Sequence, residues 1–295
     1  MKYEIKFNQI NINECKAVEG KTVIEFLQLF KVSKKNIHML FEDKRVKLNR
    51  EIASRESIIK KEDSITIQLP EEEIDYACDN QSAQIVYEDD FVLIAHKDAG
   101  IIVHDEKSKL GTLANQVATY YAQTNQNLPV RYIHRLDEET EGLVFFSKIS
   151  LFQPWFDEEL KEKKVKRCYY AIVEGEMKIG KKQTICKPIG RNRHDAKKMI
   201  IVSSGKEAIT KIQCINSKNG LSLIQCELET GRTHQIRVHL SSIGYPIVND
   251  EYYGTKTDKW KGMGLYAYKL EWHEIFTHEK RVITDPYLKE LDYFK

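Results

Sequence analysis

The densest polar run of the chain is Ile133-His134-Arg135-Leu136-Asp137-Glu138-Glu139-Thr140-Glu141-Gly142. It sets one carboxylate, Asp137, between an apolar residue and a Thr/Gly turn, just after the pair His134-Arg135. An acid near an arginine is most often half of a salt bridge, but a carboxylate is also an established covalent nucleophile at sugar carbons. A second dense run, Gly231-Arg232-Thr233-His234-Gln235-Ile236-Arg237-Val238-His239, follows far downstream. Apolar, strand-like segments frame both runs. A site assembled from distant loops reads this way in sequence.

Elements must hold those loops in place. Residues 85–97 read as two strands around the acidic turn Glu88-Asp89-Asp90, and Ala99-Gly100 then turns the chain. Leu113–Tyr121 has a helical pattern. Gly142–Ser147 is an apolar strand leaving the first polar run, and Leu151–Lys164 is an amphipathic helix with Leu151, Trp155, Phe156 and Leu160 on its apolar stripe. Strands are expected at 169–175, 208–216 and 221–229. Thr233 is placed to cap a helix through His234–Ser242, ended by Gly244.

Ahead of these lies a separate small unit. Lys2–Ile12 alternates as a strand, Thr22–Phe30 has helical spacing, and Ser33 can cap a second helix with Ile37, Leu40 and Phe41 on one face. Short strands follow at 45–49 and 63–70. Glu71–Ala83 is acidic and non-periodic. The expected organisation is therefore a small module (1–72), a linker (73–84) and a larger domain (85–295). The class is α+β: a mixed, mostly antiparallel central sheet with flanking helices and loops, plus the small α+β module.

A length of 295 residues suits two such units. No apolar run approaches a bilayer span, and the N-terminus lacks the apolar core of a secretory signal. The six cysteines form no CxxC and no metal-ligand spacing, which argues against zinc and a disulfide framework. Reduced thiols and a cytoplasmic monomer are the expectation. Net charge is +2, yet residues 31–61 carry ten Lys/Arg against four Asp/Glu, and 161–198 carry thirteen against four. Such patches suit a polyanion, or are solvated faces.

The helix, helix, strand, turn, strand order of the N-terminal unit resembles the ribosomal-protein-S-four-like RNA-binding domain. The resemblance implies RNA contacts from Lys34, Lys35, Lys44, Arg45 and Lys47. The residues after 85 resemble RluA-type RNA pseudouridine synthases through five ordered motifs. Lys97-Asp98-Ala99-Gly100 is similar to "N-K-P-x-G", with Asp98 for proline. His134–Gly142 is similar to "H-R-L-D-x-x-T-S-G", with Glu141 for serine. Arg167–Gly175 is similar to "K-x-Y-x-A-x-V-x-G". Thr230–Leu240 matches "T-G-R-T-H-Q-I-R-V-H-L" throughout, and Pro246–Asp250 with Tyr253-Gly254 resembles "P-I-x-G-D-x-x-Y-G".

The resemblance implies isomerisation of uridine to pseudouridine in structured RNA, ribosomal RNA ahead of transfer RNA, without cofactor or metal. It assigns the nucleophile or base to Asp137, its cationic partner to Arg237 and a base-stacking ring to Tyr169. The target nucleotide must leave its stack. Arg135 would fill the vacated space or clamp the phosphates, with His134 at the RNA or bracing the loop, and Arg232 as a phosphate contact. A late segment, Gly264–Leu270, would supply an apolar floor beneath the base, with Tyr266 in place of the usual histidine. Two other classes compete. One is a non-catalytic RNA-binding protein; the other is a retaining glycosidase, which needs a second carboxylate flanking the bond.

Overall fold

Two side-chain-capped helices organise the N-terminal unit. Thr22 and Glu25 form a reciprocal capping box at α1 (Val23–Leu29), and Ser33 Oγ accepts from Asn36 N at the start of α2 (Lys34–Glu42). The computed structural model describes residues 1–105 and 110–294, the side chains of 289–291 excepted. The helices pack on a five-stranded sheet built from β1 (Lys2–Lys6), β2 (Gln9–Asn13), β3 (Val46–Leu48), β4 (Glu51–Ile52) and β5 (Ile65–Gln68), in the order β1-β2-β5-β3-β4. The stretch expected as one strand over Lys2–Ile12 is a hairpin. Phe7 and Asn8 turn it with φ of 50° and 60°, a left-handed pair for which the sequence offers no glycine.

Residues 69–83 carry no regular element, but they are strapped to the larger unit. Asp75 accepts from Val130 N at 2.9 Å, Asn115 Nδ2 donates to Ala77 O at 2.8 Å, and Asp79 N donates to Thr119 Oγ1 at 2.7 Å.

The larger unit is built on a ten-stranded sheet. Its strands are β6 (Gln84–Glu88), β7 (Val92–Lys97), β8 (Arg131–Tyr132), β9 (Glu141–Ser147), β10 (Lys166–Glu174), β11 (Lys182–Cys186), β14 (Ile209–Lys218), β15 (Leu221–Leu228), β16 (Leu265–His273) and β17 (Lys280–Thr284). The main order is β11-β14-β15-β10-β16-β9-β7-β6. A separate hairpin pairs β12 (Ile189–Arg191) with β13 (Met199–Ile201). Among the described residues the named strands pair antiparallel except β9 with β16, where Tyr266 and Ala267 lie beside Glu141 and Gly142. That approach depends on Gly142: a Cβ there would stand 2.4 Å from the Ala267 carbonyl oxygen, and its φ is 120°.

Period-two alternation splits the sheet into two cores. Ile94, Phe145, Leu270 and Trp272 face one side, where they join the N-terminal unit. There Phe30 lies 4.8 Å from Phe276 and 6.0 Å from Phe152, and Tyr3 lies 5.0 Å from Phe91. Leu93, Ala95, Val144, Phe146 and Tyr169 face the other side, with α3 (Leu113–Gln123) and α5 (Gln235–Ser241). The helix expected over Leu151–Lys164 is a 3-10 turn, Ser150–Phe152, followed by α4 (Gln153–Lys161). No helix among the described residues is long and apolar enough to cross a membrane.

Candidate active site

The two polar runs meet over a cavity of about 990 Å³, whose wall takes in Asp137, Arg167, Tyr169, Arg232 and Arg237. The Asp137 loop is fixed at both ends. Thr140 N donates to Asp137 O at 3.1 Å, closing a turn, and Gly100 N donates to Glu138 O at 3.0 Å. Lys97, fully buried, donates from Nζ to three carbonyls: Ile101 at 2.6 Å, Glu138 at 2.8 Å and Asp98 at 2.9 Å. Burial pushes its ammonium down to about 8, against the pull of Glu139, Asp137 and other nearby carboxylates.

Arg237 and Asp137, 100 positions apart, are joined by one hydrogen bond, Nη1 to Oδ2 at 3.1 Å. The bidentate partner is Asp250, which accepts from Arg237 Nε at 2.7 Å and Nη2 at 2.8 Å. Asp250 is fully buried, and it also accepts from the backbone N–H groups of Tyr252 and Tyr253. Burial works against the Arg237 charge, but Asp250 and then Asp137 outweigh it, so the guanidinium is held even more firmly protonated than usual. The rings of Tyr252 and Tyr253 flank it at 5.3 and 5.4 Å. Arg237 thus arrives oriented, with one nitrogen left for Asp137.

His234 adjoins this pair. The helix expected to be capped by Thr233 starts at Gln235, and His234 is its N-cap with φ 54° and no side-chain capping bond. A non-glycine residue in the left-handed region is strained, and such strain concentrates at functional sites. Tyr253 OH accepts from Met199 N at 2.7 Å and is hydrogen-bonded to His234 Nδ1 at 2.9 Å. The other ring nitrogen, Nε2, is 3.9 Å from Asp137 Oδ2. Burial, opposed by Asp137 and aided by Arg237, holds His234 below the ordinary histidine value and hence neutral near pH 7.

Tyr169 lines the cavity and is 5% exposed, whereas Tyr170 stacks on Tyr268 at 3.8 Å on the opposite face of β10. Burial raises the Tyr169 hydroxyl pKa. Arg135 is exposed on the rim with no ion pair among the described residues. Arg232 is also on the rim, its Nε donating to Glu207 O at 2.9 Å. His134, expected either at the RNA or bracing the loop, also belongs to the cavity lining. Its ring is buried, Nε2 accepts from Phe145 N at 3.4 Å, and burial with the neighbouring Arg167 charge drives its pKa to about 3. It is a neutral brace between the loop and β9.

Sequence reasoning gave no role to Lys97, Arg167 or Asp250, although each lies in a quoted motif. Arg167 enters the cavity wall because Gly231 admits it: a Cβ at 231 would lie 3.0 Å from its Nη1. Tyr266 is withdrawn, accepting from Trp260 Nε1 at 2.9 Å, and Met263 and Leu265 supply apolar lining. In the N-terminal unit, Lys44, Arg45 and Lys47 line a recess with Gln9, Thr66 and Gln68. Lys34 and Lys35 stand outside it, exposed in the first turn of α2, where cations oppose the helix dipole.

With this geometry in hand, the relatives are informative. The sequence model of the RNA pseudouridylate synthase family matches residues 91–242. The chain is 37% identical over 284 residues to the RNA pseudouridine synthase YhcT of Bacillus subtilis (strain 168), covering 95% of this chain and 93% of that one. It is 35% identical over 229 residues to the ribosomal large subunit pseudouridine synthase D of Neisseria meningitidis (serogroup A, serotype 4A), covering 72% of this chain and 59% of that one. Among solved structures, human RNA pseudouridylate synthase domain containing 1 superposes with a TM-score of 0.60 at 26% identity, covering 72% of this chain and 87% of that one.

Proposed function

The chain belongs to the RNA pseudouridylate synthase family and isomerises uridine in RNA; we propose that its substrate is ribosomal RNA and that Asp137 carries the chemistry. The reaction breaks the N1–C1′ bond of a uridine and forms a C5–C1′ bond. One proton leaves C5 and one arrives at N1, so the product has the atoms of the substrate. An anion must stay within reach of the sugar or the detached ring while that exchange proceeds. The observation that carries the reading is the Asp137–Arg237–Asp250 array. Asp250 satisfies the guanidinium fork, and a single bond steadies Asp137 at the cavity. A carboxylate gripped by both arms of an arginine would be a poorer nucleophile or base.

Tyr169 is the ring against which the flipped base stacks, over the apolar Met263 and Leu265. Arg135 enters the vacated space in the RNA, and Arg167 and Arg232 meet its phosphates. The N-terminal recess of Lys44, Arg45 and Lys47, with Lys34 and Lys35 nearby in sequence, supplies a second RNA contact. Ribosomal RNA is favoured over transfer RNA by the named large-subunit relatives and by this second basic surface. Site-resolved pseudouridine mapping of total RNA from strains with and without the gene decides it. Loss of a ribosomal RNA pseudouridine is expected. Loss confined to transfer RNA would overturn the substrate assignment.

A further inference from the structure

His96, the penultimate residue of β7, sits in a nest of carboxylates that the reaction itself does not use. Its side chain is 2% exposed. Nδ1 pairs with Asp285 Oδ2 at 2.7 Å, and that carboxylate is fully buried. Nε2 faces Asp98 Oδ1 at 3.5 Å and Glu141 Oε1 at 3.6 Å. The Tyr287 ring packs edge-on at 5.1 Å, and the facing residues on β6 and β9 are the uncharged Gln84 and Leu143. Three segments therefore meet at one imidazole: the turn after β7, the first residue of β9, and the chain after β17. The last is held there by Asp285, whose Oδ1 also accepts from Tyr287 N at 3.0 Å.

The placement bears on the active site. Glu141 follows the Asp137 turn directly, and Asp98 is the residue next to Lys97, whose ammonium holds Glu138 O. The motif patterns quoted above carry asparagine, proline and serine where this chain has His96, Asp98 and Glu141. All three departures converge on one spot. Together they introduce one ionisable base and two acids there.

We propose that His96 is a positioning residue for the reaction: bridged to Asp285, Glu141 and Asp98, it ties the start of β9, which leaves the Asp137 turn, and the end of β7, whose Lys97 holds that turn, to the C-terminal segment, and so sets where Asp137 stands. The bridge needs the ring protonated on both nitrogens, because each faces a carboxylate. Burial disfavours that charge, but the Asp285 hydrogen bond and then the charges of Asp285, Glu141 and Asp98 outweigh it, raising the pKa. A raised histidine stabilises fully below its unfolded value of about 6.5, and that contribution is lost as pH rises through the raised value.

The proposal rests on Asp137 being the reacting group, and the test keeps the two apart. Pseudouridine formation is followed from pH 5.5 to 9 as kcat and KM for wild type, His96→Asn, and the triple variant His96→Asn/Asp98→Pro/Glu141→Ser, beside an NMR titration of His96. Wild-type kcat should fall across the His96 NMR midpoint with KM unchanged. His96→Asn should lose roughly tenfold or more in kcat, a loss of about 1.4 kcal/mol. The triple variant should regain most of it and lack that limb. An unaltered kcat profile in His96→Asn, or a triple variant no better than the single, overturns the proposal while leaving the Asp137 reading intact. Were His96→Asn to misfold, Asp98→Asn/Glu141→Gln keeps the ring and should move the NMR midpoint and the kcat limb down together; an unmoved limb overturns the proposal. Activity in Asp137→Asn would instead remove the reading on which it stands.

Discussion

Asp250 is the residue whose removal separates stability from chemistry. Asp250→Ala deletes two charge-assisted hydrogen bonds to Arg237, at 2.7 and 2.8 Å, and two acceptor contacts to the Tyr252 and Tyr253 N–H groups. Both ionic partners are buried, Arg237 at 4% exposed and Asp250 at 0%. Stranding a buried charge in this way costs about 3–5 kcal/mol. At roughly 2–4 °C per kcal/mol for a unit of this size, the melting temperature should fall by on the order of 10 °C. The freed guanidinium also turns toward Asp137, gripping the carboxylate it previously touched once, so single-turnover pseudouridine formation should fall as well. Replacing both partners, Arg237→Met with Asp250→Leu, removes the stranded charge and restores apolar packing, which is often neutral or stabilising. The part of the loss due to the stranded charge should return in that double variant, the Tyr252 and Tyr253 N–H contacts staying lost, while activity stays lost because Asp137 then has no cation. Melting by circular dichroism and single-turnover assays on one RNA measure both. Recovery of activity in the double variant would show that Asp137 needs no cation, and an Asp250→Ala protein that melts like wild type would show that Asp250 does not anchor the Arg237 charge.

Lys97→Met leaves three buried carbonyls without their donor. Because the folded pKa of Lys97 is about 8, below its unfolded value of about 10.4, the unfolded chain binds the extra proton between those limits, and wild-type stability gains with pH there. Denaturant titrations should show the gap between wild type and variant widening by roughly 2–3 kcal/mol from pH 8 to 10; a constant gap would contradict the buried ammonium. Neutralising Lys44, Arg45 and Lys47 together should weaken RNA binding and lower the salt slope by about 0.7–0.9 per lost phosphate contact, while kcat on saturating RNA holds. An unchanged slope would give the recess another task. Phe30→Ala should cost about 3–5 kcal/mol and split one calorimetric transition into two, since Phe30 joins the core of the first unit to Phe152 and Phe276. A loss under about 1 kcal/mol would show that the two units are not coupled through that ring.

What was legible in the sequence depended on whether the signal was local. Capping by Thr22 and Ser33, the period-two strands and the ordered motifs are local, and they led to the helices, the mixed sheet and the meeting of Asp137 with Arg237. The Phe7-Asn8 hairpin was not legible, because its left-handed turn is held by strand pairing and not by a glycine. The β12–β13 hairpin lies in a Lys/Arg-rich, proline-containing stretch with no apolar alternation. The Thr233 cap was a reasonable local inference, overridden by the strained His234 that Tyr253 holds. Asp250 could not be ranked above other acids, since its value comes from burial against Arg237. Asp98 and Glu141 looked like unrelated departures until the sheet brought them to His96.

In the proposed mechanism Asp137, steadied by one arm of an arginine, carries the isomerisation. Asp137→Asn preserves shape and an acceptor for Arg237 while removing the charge. With the variant shown to be folded and still binding RNA, pseudouridine should be undetectable in a single-turnover assay on ribosomal RNA that wild type converts. Conversion by Asp137→Asn at a rate near that of wild type would rule out Asp137 as the reacting group.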